Sequence, residues 1–346
     1  FQGDEPSSFN AAKILATDGV NGFFRQYKDI PWLGKQHPPL AVLIYGLPMC
    51  FFGADLWVTR ATTIVFTAAV ILTTYALGKE LYDRRTGLLA ALFLLSCPYL
   101  LHMGTMSNND MPITLFFSLA LLLLICLYRA PSYSLAAITG VIIGAGMVTK
   151  YSMAAVYAVV FLSLLLPGIP CRKLLPYVAV TVVLSAVILA GWLIYAGRTG
   201  VLAKQFGTLS AYAGLSEPGK AGWLVAESRW KMNKRIETLV GRLPTAVGAF
   251  NIPLLFASGG RLVRRRNQSD LFVLVWVIAI SLPVAVILPD PRYFLPALPA
   301  FALIIGSKLR AGREGTVRVT ALALVYGAQA LYLYLVLTQP ARILSN

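Results

Sequence analysis

The stretch LYDRRTGLLAALFLLSCPYLL (residues 81–101) starts in a short basic loop and continues as an apolar run that holds no charged residue up to position 109. A run of about 18 or more such residues is long enough to cross a bilayer as an α-helix. Hydrophobic residues make up 58% of the 346-residue chain and charged residues only 13%. A soluble domain has about 25% charged residues. The sequence therefore predicts an all-α protein, a bundle of helices that crosses a membrane many times.

Similar uncharged runs recur along the whole chain, and the short loops between them are rich in lysine and arginine. The further runs cover residues 38–54, 61–78, 111–128, 130–149, 151–171, 174–197, 243–260, 271–289, 293–307 and 319–341. The basic loops lie at residues 79–85, 172–173, 261–266 and 308–318. Short basic loops stay on the cytoplasmic face. Assigning 79–85 to that face places the other three there as well, with about ten crossings.

The run at 38–53 is short and contains Gly46 and Pro48, so we predict that it lies at the outer interface without spanning. Residues 1–37 then form an outer-face loop. The whole chain, 1–346, is predicted to be a single integral membrane domain. Its parts are an outer loop with interfacial helices (1–53), a first transmembrane bundle (54–197), an outer amphipathic loop (198–242) and a second transmembrane group (243–346).

Several other classes of protein are excluded by composition and spacing. The net charge of +16 is explained by the basic loops and by anionic lipid, so no nucleic acid partner is expected. The four cysteines show no CxxC spacing, which argues against a zinc site or a disulfide framework. No glycine pattern of a dinucleotide or phosphate loop is present.

Ionisable residues collect at the outer ends of the predicted crossings. Ionisable groups at such depth are costly and face the protein interior or a water-filled cavity. The candidates are Asp4 and Glu5 near the start, Asp110 in MSNNDMPI, Lys150 in MVTKYSM, and Asp290 and Arg292 in PDPRYFLP.

Each candidate also has a structural explanation. Asp110 could cap a helix that has Pro112 in its first turn. Lys150 could reach the membrane interface with its long side chain. Arg292 could pair only with Asp290, and Asp4 could be an ordinary loop acid. The joint pattern of acids and bases at one surface favours a functional site.

The order of these motifs resembles that of the GT-C membrane glycosyltransferases of the protein-O-mannosyltransferase and aminoarabinose (lipid A) transferase type. The matching segments are Gly3-Asp4-Glu5-Pro6, His37-Pro38-Pro39-Leu40, LYDRRTGLLAALFLLSCPYLL (81–101), Asn109-Asp110-Met111, Thr149-Lys150 and Arg292-Tyr293-Phe294-Leu295-Pro296. The resemblance covers residues 1–167 and recurs at 290–306. Family members have a further transmembrane helix before the acid pair, so we expect one before residue 1.

The resemblance implies transfer of a hexose or pentose from a polyprenyl phosphate, such as dolichyl-phosphate-mannose, to a hydroxyl on the non-cytoplasmic face, with inversion. The acceptor would be a lipid, a glycan or a protein, as in protein glycosylation or cell-envelope modification. A bacterial or archaeal inner membrane is the expected location, with the active site on its outer face. In aminoarabinose transferases a lysine suggested to contact phosphate precedes the proline pair. His37 stands at that position in this chain, and it is a candidate for binding the donor phosphate together with Lys150 and Arg292.

Elementary chemistry gives the candidate residues roles in such a transfer. A neutral hydroxyl is a weak nucleophile, so Asp4 is predicted to be the general base, with Glu5 and Asp110 supporting it. The phosphate leaving group needs cations, which Lys150 and Arg292 supply. The remaining supporting candidates are Tyr293, Asp290 and His102.

Three questions stay open in the sequence. No cofactor is certain, but Asp4, Glu5 and Asp110 could together hold a divalent metal such as Mg²⁺ or Mn²⁺. A transporter or a lipid-linked glycan flippase is the alternative function, because buried charges and helices broken by proline suit it too. A binding or scaffold subunit is a third hypothesis.

Overall fold

The computed structural model describes residues 4–31, 33–213, 267–286 and 291–310, and all of their regular secondary structure is helical. The α-helices are α1 Glu5–Gln26, α2 Leu33–Gln36, α3 Leu40–Phe52, α4 Leu56–Leu81, α5 Arg84–Leu95, α6 Pro98–Met103, α7 Asp110–Arg129, α8 Tyr133–Thr149, α9 Ala155–Leu164, α10 Cys171–Arg198, α11 Val201–Ala213, α12 Gln268–Val286 and α13 Leu298–Arg310. Short 3₁₀ helices cover Tyr27–Asp29, Tyr151–Ala154 and Pro291–Ala297.

Three of the described helices are long and apolar enough to cross a membrane: α4 with 26 residues, α7 with 20 and α10 with 28. At 1.5 Å per residue, 20 residues span the roughly 30 Å of a hydrocarbon core. Shorter apolar helices, α8, α9 and α12 among them, pack alongside. Large hydrophobic side chains on the long helices are exposed, such as Val65 and Leu72 of α4 and Val187 of α10, which suits contact with lipid. The prediction of an all-α polytopic membrane protein is confirmed.

The apolar run at 86–109 is divided rather than continuous. Helix α5 ends at Leu95, Cys97 has extended backbone angles, and Pro98 begins the separate short helix α6. The residue before a proline is driven out of the helical region, and proline has no N–H to donate. The polar segment 104–109 follows without regular structure. The sequence predicted one continuous crossing here. The structure instead has two helices, α5 and α6, and the polar segment 104–109 that follows them leads into the start of α7.

The first described segment, which belongs to the predicted outer loop with interfacial helices, is mostly one long helix. Helix α1 runs from Glu5 to Gln26 and is kinked at Gly19, whose φ of 70° is in the left-handed region. Its apolar residues Ala11, Ala12 and Leu15 are buried against α3. A side chain at Gly46 of α3 would lie 2.9 Å from the Ala12 carbonyl oxygen, so glycine permits this close approach. The packing of α1 on α3 fixes where Asp4 and Glu5 lie. Helix α3 has 13 residues, and its lack of a crossing stays a prediction.

The last described part of the chain returns to the first bundle. Helix α13 packs on α5, and the 3₁₀ helix Pro291–Ala297 before it contacts α7 and α12. The indole N–H of Trp276 donates to the Pro296 carbonyl at 3.0 Å. The Trp276 ring also stacks on Phe117 of α7, with 6.2 Å between the ring centroids. These contacts hold Arg292 and Tyr293 beside the start of α7.

Candidate active site

Three ion pairs join distant parts of the chain at the end of the bundle where α7 begins. They are Asp4 with Arg292, Glu5 with Arg60, and Asp110 with Lys150. We call this end of the bundle, with these six residues, the site end. Every acid that the sequence proposed as catalytic is therefore paired with a cation.

Asp4 and Arg292 meet although they are 288 positions apart in the chain. Arg292 Nη1 donates to Asp4 Oδ2 at 2.5 Å, and both side chains are about a third exposed. Asp4 immediately precedes α1, but its carboxylate makes no capping hydrogen bond to that helix. The Asp4 carboxylate therefore pairs with Arg292 rather than capping α1, and it stays partly exposed.

Glu5 is fully buried, and Arg60 of α4 holds it with two hydrogen bonds. Arg60 Nε and Nη2 donate to the two carboxylate oxygens at 2.9 and 2.8 Å. The Ser107 amide donates to Oε1 at 3.3 Å. Burial alone would raise the pKa of Glu5, but Arg60 and the Ser107 amide hold this pKa below its ordinary value. Glu5 is thus an ionised residue that ties α1 to α4 and to the segment before α7.

Asp110 and Lys150 form a second buried pair. Lys150 Nζ donates to Asp110 Oδ1 at 2.5 Å, and the two residues are only 9% and 4% exposed. The ammonium also lies 4.4 Å from the centre of the Tyr293 ring. Asn109, rather than Asp110, is the N-cap of α7. The capping and interface-reaching explanations of Asp110 and Lys150 are therefore wrong.

His37 precedes α3, and its backbone is fixed by two donors. Its carbonyl oxygen accepts from Tyr27 Oη at 2.5 Å and from Gln205 Nε2 at 2.9 Å. Burial, together with the nearby charges of Lys150 and Arg292, lowers the pKa of His37 to about 3. The imidazole is therefore neutral at physiological pH, so it offers a hydrogen bond but no charge at the site end.

The irregular segment 104–109 is attached to α3 and α4 by side-chain hydroxyls. Tyr45 Oη donates to the Asn108 carbonyl at 2.7 Å. Ser107 Oγ donates to Thr59 Oγ1 at 2.6 Å, and Thr67 Oγ1 donates to the Gly104 carbonyl at 3.2 Å. Buried hydrogen bonds of this kind fix a segment that has no helical bonds of its own. They set the position of Asp110 relative to Glu5.

The remaining candidates are placed less centrally. His102 is half-buried in α6, close enough to Glu5 for its charge to act on the imidazole. Asp290 lies outside the described residues. Within the described ranges, no group of three or more histidine, cysteine, aspartate or glutamate side chains is arranged to hold a metal ion.

Comparison with known proteins adds an independent line of evidence. The profile of the dolichyl-phosphate-mannose-protein mannosyltransferase family matches residues 36–195. ArnT from Cupriavidus metallidurans, in the apo state, superimposes with a TM-score of 0.66 at 18% identity, over 94% of this chain. Its complex with undecaprenyl phosphate gives 0.65 at 16% identity, over 92% of this chain.

The archaeal oligosaccharyltransferase AglB from Archaeoglobus fulgidus, in complex with an inhibitory peptide and a dolichol-phosphate, superimposes with a TM-score of 0.61. Its identity to this chain is 13%, over 94% of this chain. The chain has the GT-C glycosyltransferase fold.

The GT-C chain covers only part of each of these proteins. It spans 58% and 59% of the two ArnT chains and 50% of the AglB chain. No curated protein sequence gives a significant match. None of these matches supports the transporter or flippase alternative.

Sequence reasoning missed two groups of residues at the site end of this GT-C bundle. Arg60 is one, although a cation at the outer end of a predicted crossing was a usable signal. Asn108 and Asn109 are the other, and they stand directly before Asp110 in the quoted motif. In the fold Arg60 contacts Glu5, and Asn108 accepts from the Asp110 amide.

Proposed function

We propose that the protein transfers a hexose or pentose from a polyprenyl phosphate to an acceptor hydroxyl on the non-cytoplasmic face, with inversion at the anomeric carbon. The observation that carries this proposal is the contact between Asp4 and Arg292, an accessible acid and a cation, beside the Asp110–Lys150 pair in a GT-C fold. The donor, the acceptor and the enzymatic activity all belong to the proposal.

A lipid-linked donor suits the charges at the site end. ArnT from Cupriavidus metallidurans was seen with undecaprenyl phosphate and AglB with a dolichol-phosphate, and both have this fold. A phosphate leaving group already has a low pKa, so it needs no general acid but does need cations to stabilise its charge. Arg292 provides a planar fork and Lys150 a point charge for that purpose. The neutral His37 ring would add one hydrogen bond.

The pairing of Asp4 with Arg292 suggests how donor binding prepares the base. A phosphate beside Arg292 competes with Asp4 for the guanidinium. Asp4 Oδ2 is then released to accept the proton of the acceptor hydroxyl. The acceptor oxygen forms a bond to the anomeric carbon while the bond from that carbon to the phosphate oxygen breaks. The electron pair of that bond leaves with the phosphate. One direct displacement of this kind inverts the anomeric configuration.

The other two acids act in this scheme as supports. Glu5 keeps Arg60 and the Ser107 amide in place and so fixes the start of α1, which carries Asp4. Asp110 orients the Lys150 ammonium against the Tyr293 ring. Because each of the three carboxylates has a cation within 2.8 Å, metal binding by this trio would require those pairs to open.

The location and the acceptor follow from the same proposal. The basic loops support an outer-face position of the site end, and the inner membrane of a bacterium or archaeon is the proposed location, where an acceptor lipid, glycan or protein would meet the site. The polyprenyl tail stays in the bilayer while the sugar reaches the accessible Asp4.

Donor identification followed by a transfer assay tests the proposal. Polyprenyl-phosphate sugars that co-purify with the protein are identified by mass spectrometry, and the matching donor is incubated with lipid, glycan and peptide acceptors. Asp4→Asn keeps the shape but removes the base, so we expect transfer to fall roughly 10²- to 10⁴-fold while the protein stays folded.

Asp55→Asn is the matched control, because Asp55 is an exposed acid that precedes α4 and makes no capping hydrogen bond. This control should transfer sugar at the wild-type rate. A normal rate in Asp4→Asn would remove Asp4 as the base, and a failure of wild type to transfer any co-purified sugar would remove the proposed function.

A further inference from the structure

Buried polar atoms without a partner are concentrated near the site end. Within the described residues, six buried side-chain polar atoms make no hydrogen bond. Four of them are Ser8 Oγ, Asn108 Nδ2, Asn109 Nδ2 and Asn109 Oδ1. Ser8 is one helical turn after Asp4, and the two asparagines directly precede Asp110. Buried polar groups in folded proteins are nearly always paired, so this concentration needs an explanation.

Helix capping does not explain Asn109. Asparagine is a favoured N-cap because its side-chain oxygen accepts from the first turn of the helix. Asn109 stands at the N-cap of α7, yet its φ of −78° and ψ of −8° are helical and its side chain makes no capping bond. The Oδ1 atom of Asn108 instead accepts from the Asp110 amide at 2.9 Å. Asn109 thus leaves both its donor and its acceptor unused while only 3% exposed.

The position of Asn109 connects it with both buried ion pairs. Two residues earlier, the Ser107 amide donates to Glu5, and the next residue, Asp110, accepts from Lys150. The backbone around Asn109 is therefore fixed on both sides. An unpaired carboxamide held at such a place lowers stability, because the hydrogen bonds to water that it loses on burial are not replaced within the folded protein alone.

We propose that Asn109 recognises the sugar of the donor, and this inference rests on the proposed function. A sugar hydroxyl both donates and accepts, which matches a carboxamide that offers Nδ2–H as a donor and Oδ1 as an acceptor. The carboxamide is neutral and therefore suits a sugar hydroxyl, whereas the cations Lys150 and Arg292 suit the charged phosphate. Asn108 Nδ2 supplies a further donor to the same sugar. A mismatched sugar leaves these atoms buried and unpaired, so Asn109 determines sugar specificity.

An enclosed water molecule bound to the carboxamide is the competing explanation, because such waters satisfy buried polar groups in many proteins. The two explanations predict opposite behaviour for Asn109→Ala. If a ligand uses the carboxamide, the free protein loses no hydrogen bond and its melting temperature is unchanged or higher. If a structural water uses it, the melting temperature falls while sugar binding is normal.

The test compares binding of undecaprenyl phosphate with binding of undecaprenyl phosphate that carries mannose, glucose or aminoarabinose. We expect Asn109→Ala to weaken binding of the preferred sugar-loaded lipid roughly 10- to 100-fold. Binding of the bare lipid should be unchanged. Asn109→Ser keeps a favourable N-cap residue, but the serine side chain is shorter than that of asparagine. It should also weaken binding of the sugar-loaded lipid and leave binding of the bare lipid unchanged.

Thr86→Val is the matched control, since Thr86 Oγ1 is also buried without a hydrogen bond but lies in the first turn of α5. It should bind every lipid as wild type does. Equal weakening of bare and sugar-loaded lipid by Asn109→Ala, or no weakening at all, overturns the Asn109 assignment alone. If wild type neither binds nor turns over any sugar-loaded lipid, the proposed function itself fails.

Discussion

The two ends of the bundle use their charged residues differently. At the site end, three ion pairs connect segments that are far apart in sequence, and the Asp4–Arg292 pair is open to the outside. At the opposite end, which we call the basic-loop end, Tyr82 Oη donates to Asp270 at 2.8 Å and Ser269 Oγ donates to the Leu81 carbonyl at 2.6 Å. Arg129 there pairs with Glu80, largely exposed.

This difference indicates which contacts are structural and which serve a ligand. The contacts at the basic-loop end join α4 to α12 and to α7, and among the described residues no buried carboxamide without a hydrogen bond lies beside them. The site end places accessible charge next to buried unpaired polar atoms, which lowers stability unless something binds. We infer that the Asp4–Arg292 pair is exchanged for ligand contacts, whereas the Glu5–Arg60 pair and the contacts at the basic-loop end are structural.

Loss of a site-end cation gives the largest expected effect. Lys150→Ala should lower transfer roughly 10²- to 10³-fold, as for other groups that stabilise charge in a transition state. Arg292→Lys should also be damaging, because lysine lacks the bidentate fork. Transfer rates with the identified donor provide the measurement.

Arg129→Lys serves as the control at the basic-loop end, where the exposed pair with Glu80 contributes little. Wild-type transfer by both Lys150→Ala and Arg292→Lys would mean that the phosphate binds elsewhere.

Removal of Arg60 should affect stability more than chemistry. Arg60→Met leaves the Glu5 carboxylate buried without its cation, which we expect to destabilise the protein by about 1–3 kcal/mol. The double variant Glu5→Gln/Arg60→Met should recover part of that loss. Thermal unfolding in detergent measures both. Unfolding temperatures equal to wild type in Arg60→Met would show that the pair adds nothing to stability.

Acid should lower the free energy of unfolding through His37. The folded-state pKa of about 3 lies below the ordinary value of 6.5, so the unfolded chain binds more protons between these pH values. The contribution of the neutral His37 to the free energy of unfolding is therefore complete above pH 6.5, and it falls as the pH drops towards 3. Protonation of Glu5 lowers the free energy of unfolding further, but only when the pH falls below 4.5, the ordinary pKa of a glutamate.

His37→Gln isolates the histidine contribution. Between pH 6.5 and 5, its unfolding temperature should change less with pH than that of wild type, whatever its absolute value. Identical slopes for the two proteins would rule out a neutral, buried His37.

Much of this arrangement was accessible from the sequence. The apolar runs predicted the helices α4, α7 and α10, because long uncharged segments have one stable form in a bilayer. Asp110, Lys150 and Arg292 were predicted as site residues, since charges at the ends of such runs are costly without a role. The ten crossings and the functional roles of these residues stay predictions.

Other features depended on contacts that no local pattern encodes. The Asp4–Arg292 and Glu5–Arg60 pairs require α1 to pack on α3 and the Pro291–Ala297 helix to return to α7. The importance of Asn109 follows from what it fails to contact, which only the fold reveals. Most of the predicted outer amphipathic loop (198–242), the runs 243–260 and 319–341, and Asp290 lie outside the described residues.

The central claim, that donor phosphate and Asp4 compete for Arg292, is tested most directly by the affinity of undecaprenyl phosphate for Asp4→Asn. Without the Asp4 carboxylate, the phosphate no longer competes with this acid for Arg292 and one repelling charge is gone, so the lipid should bind as tightly as to wild type or several-fold tighter. Sugar transfer by the same variant should be lost. Binding weakened about tenfold or more, or transfer at the wild-type rate, would contradict the account.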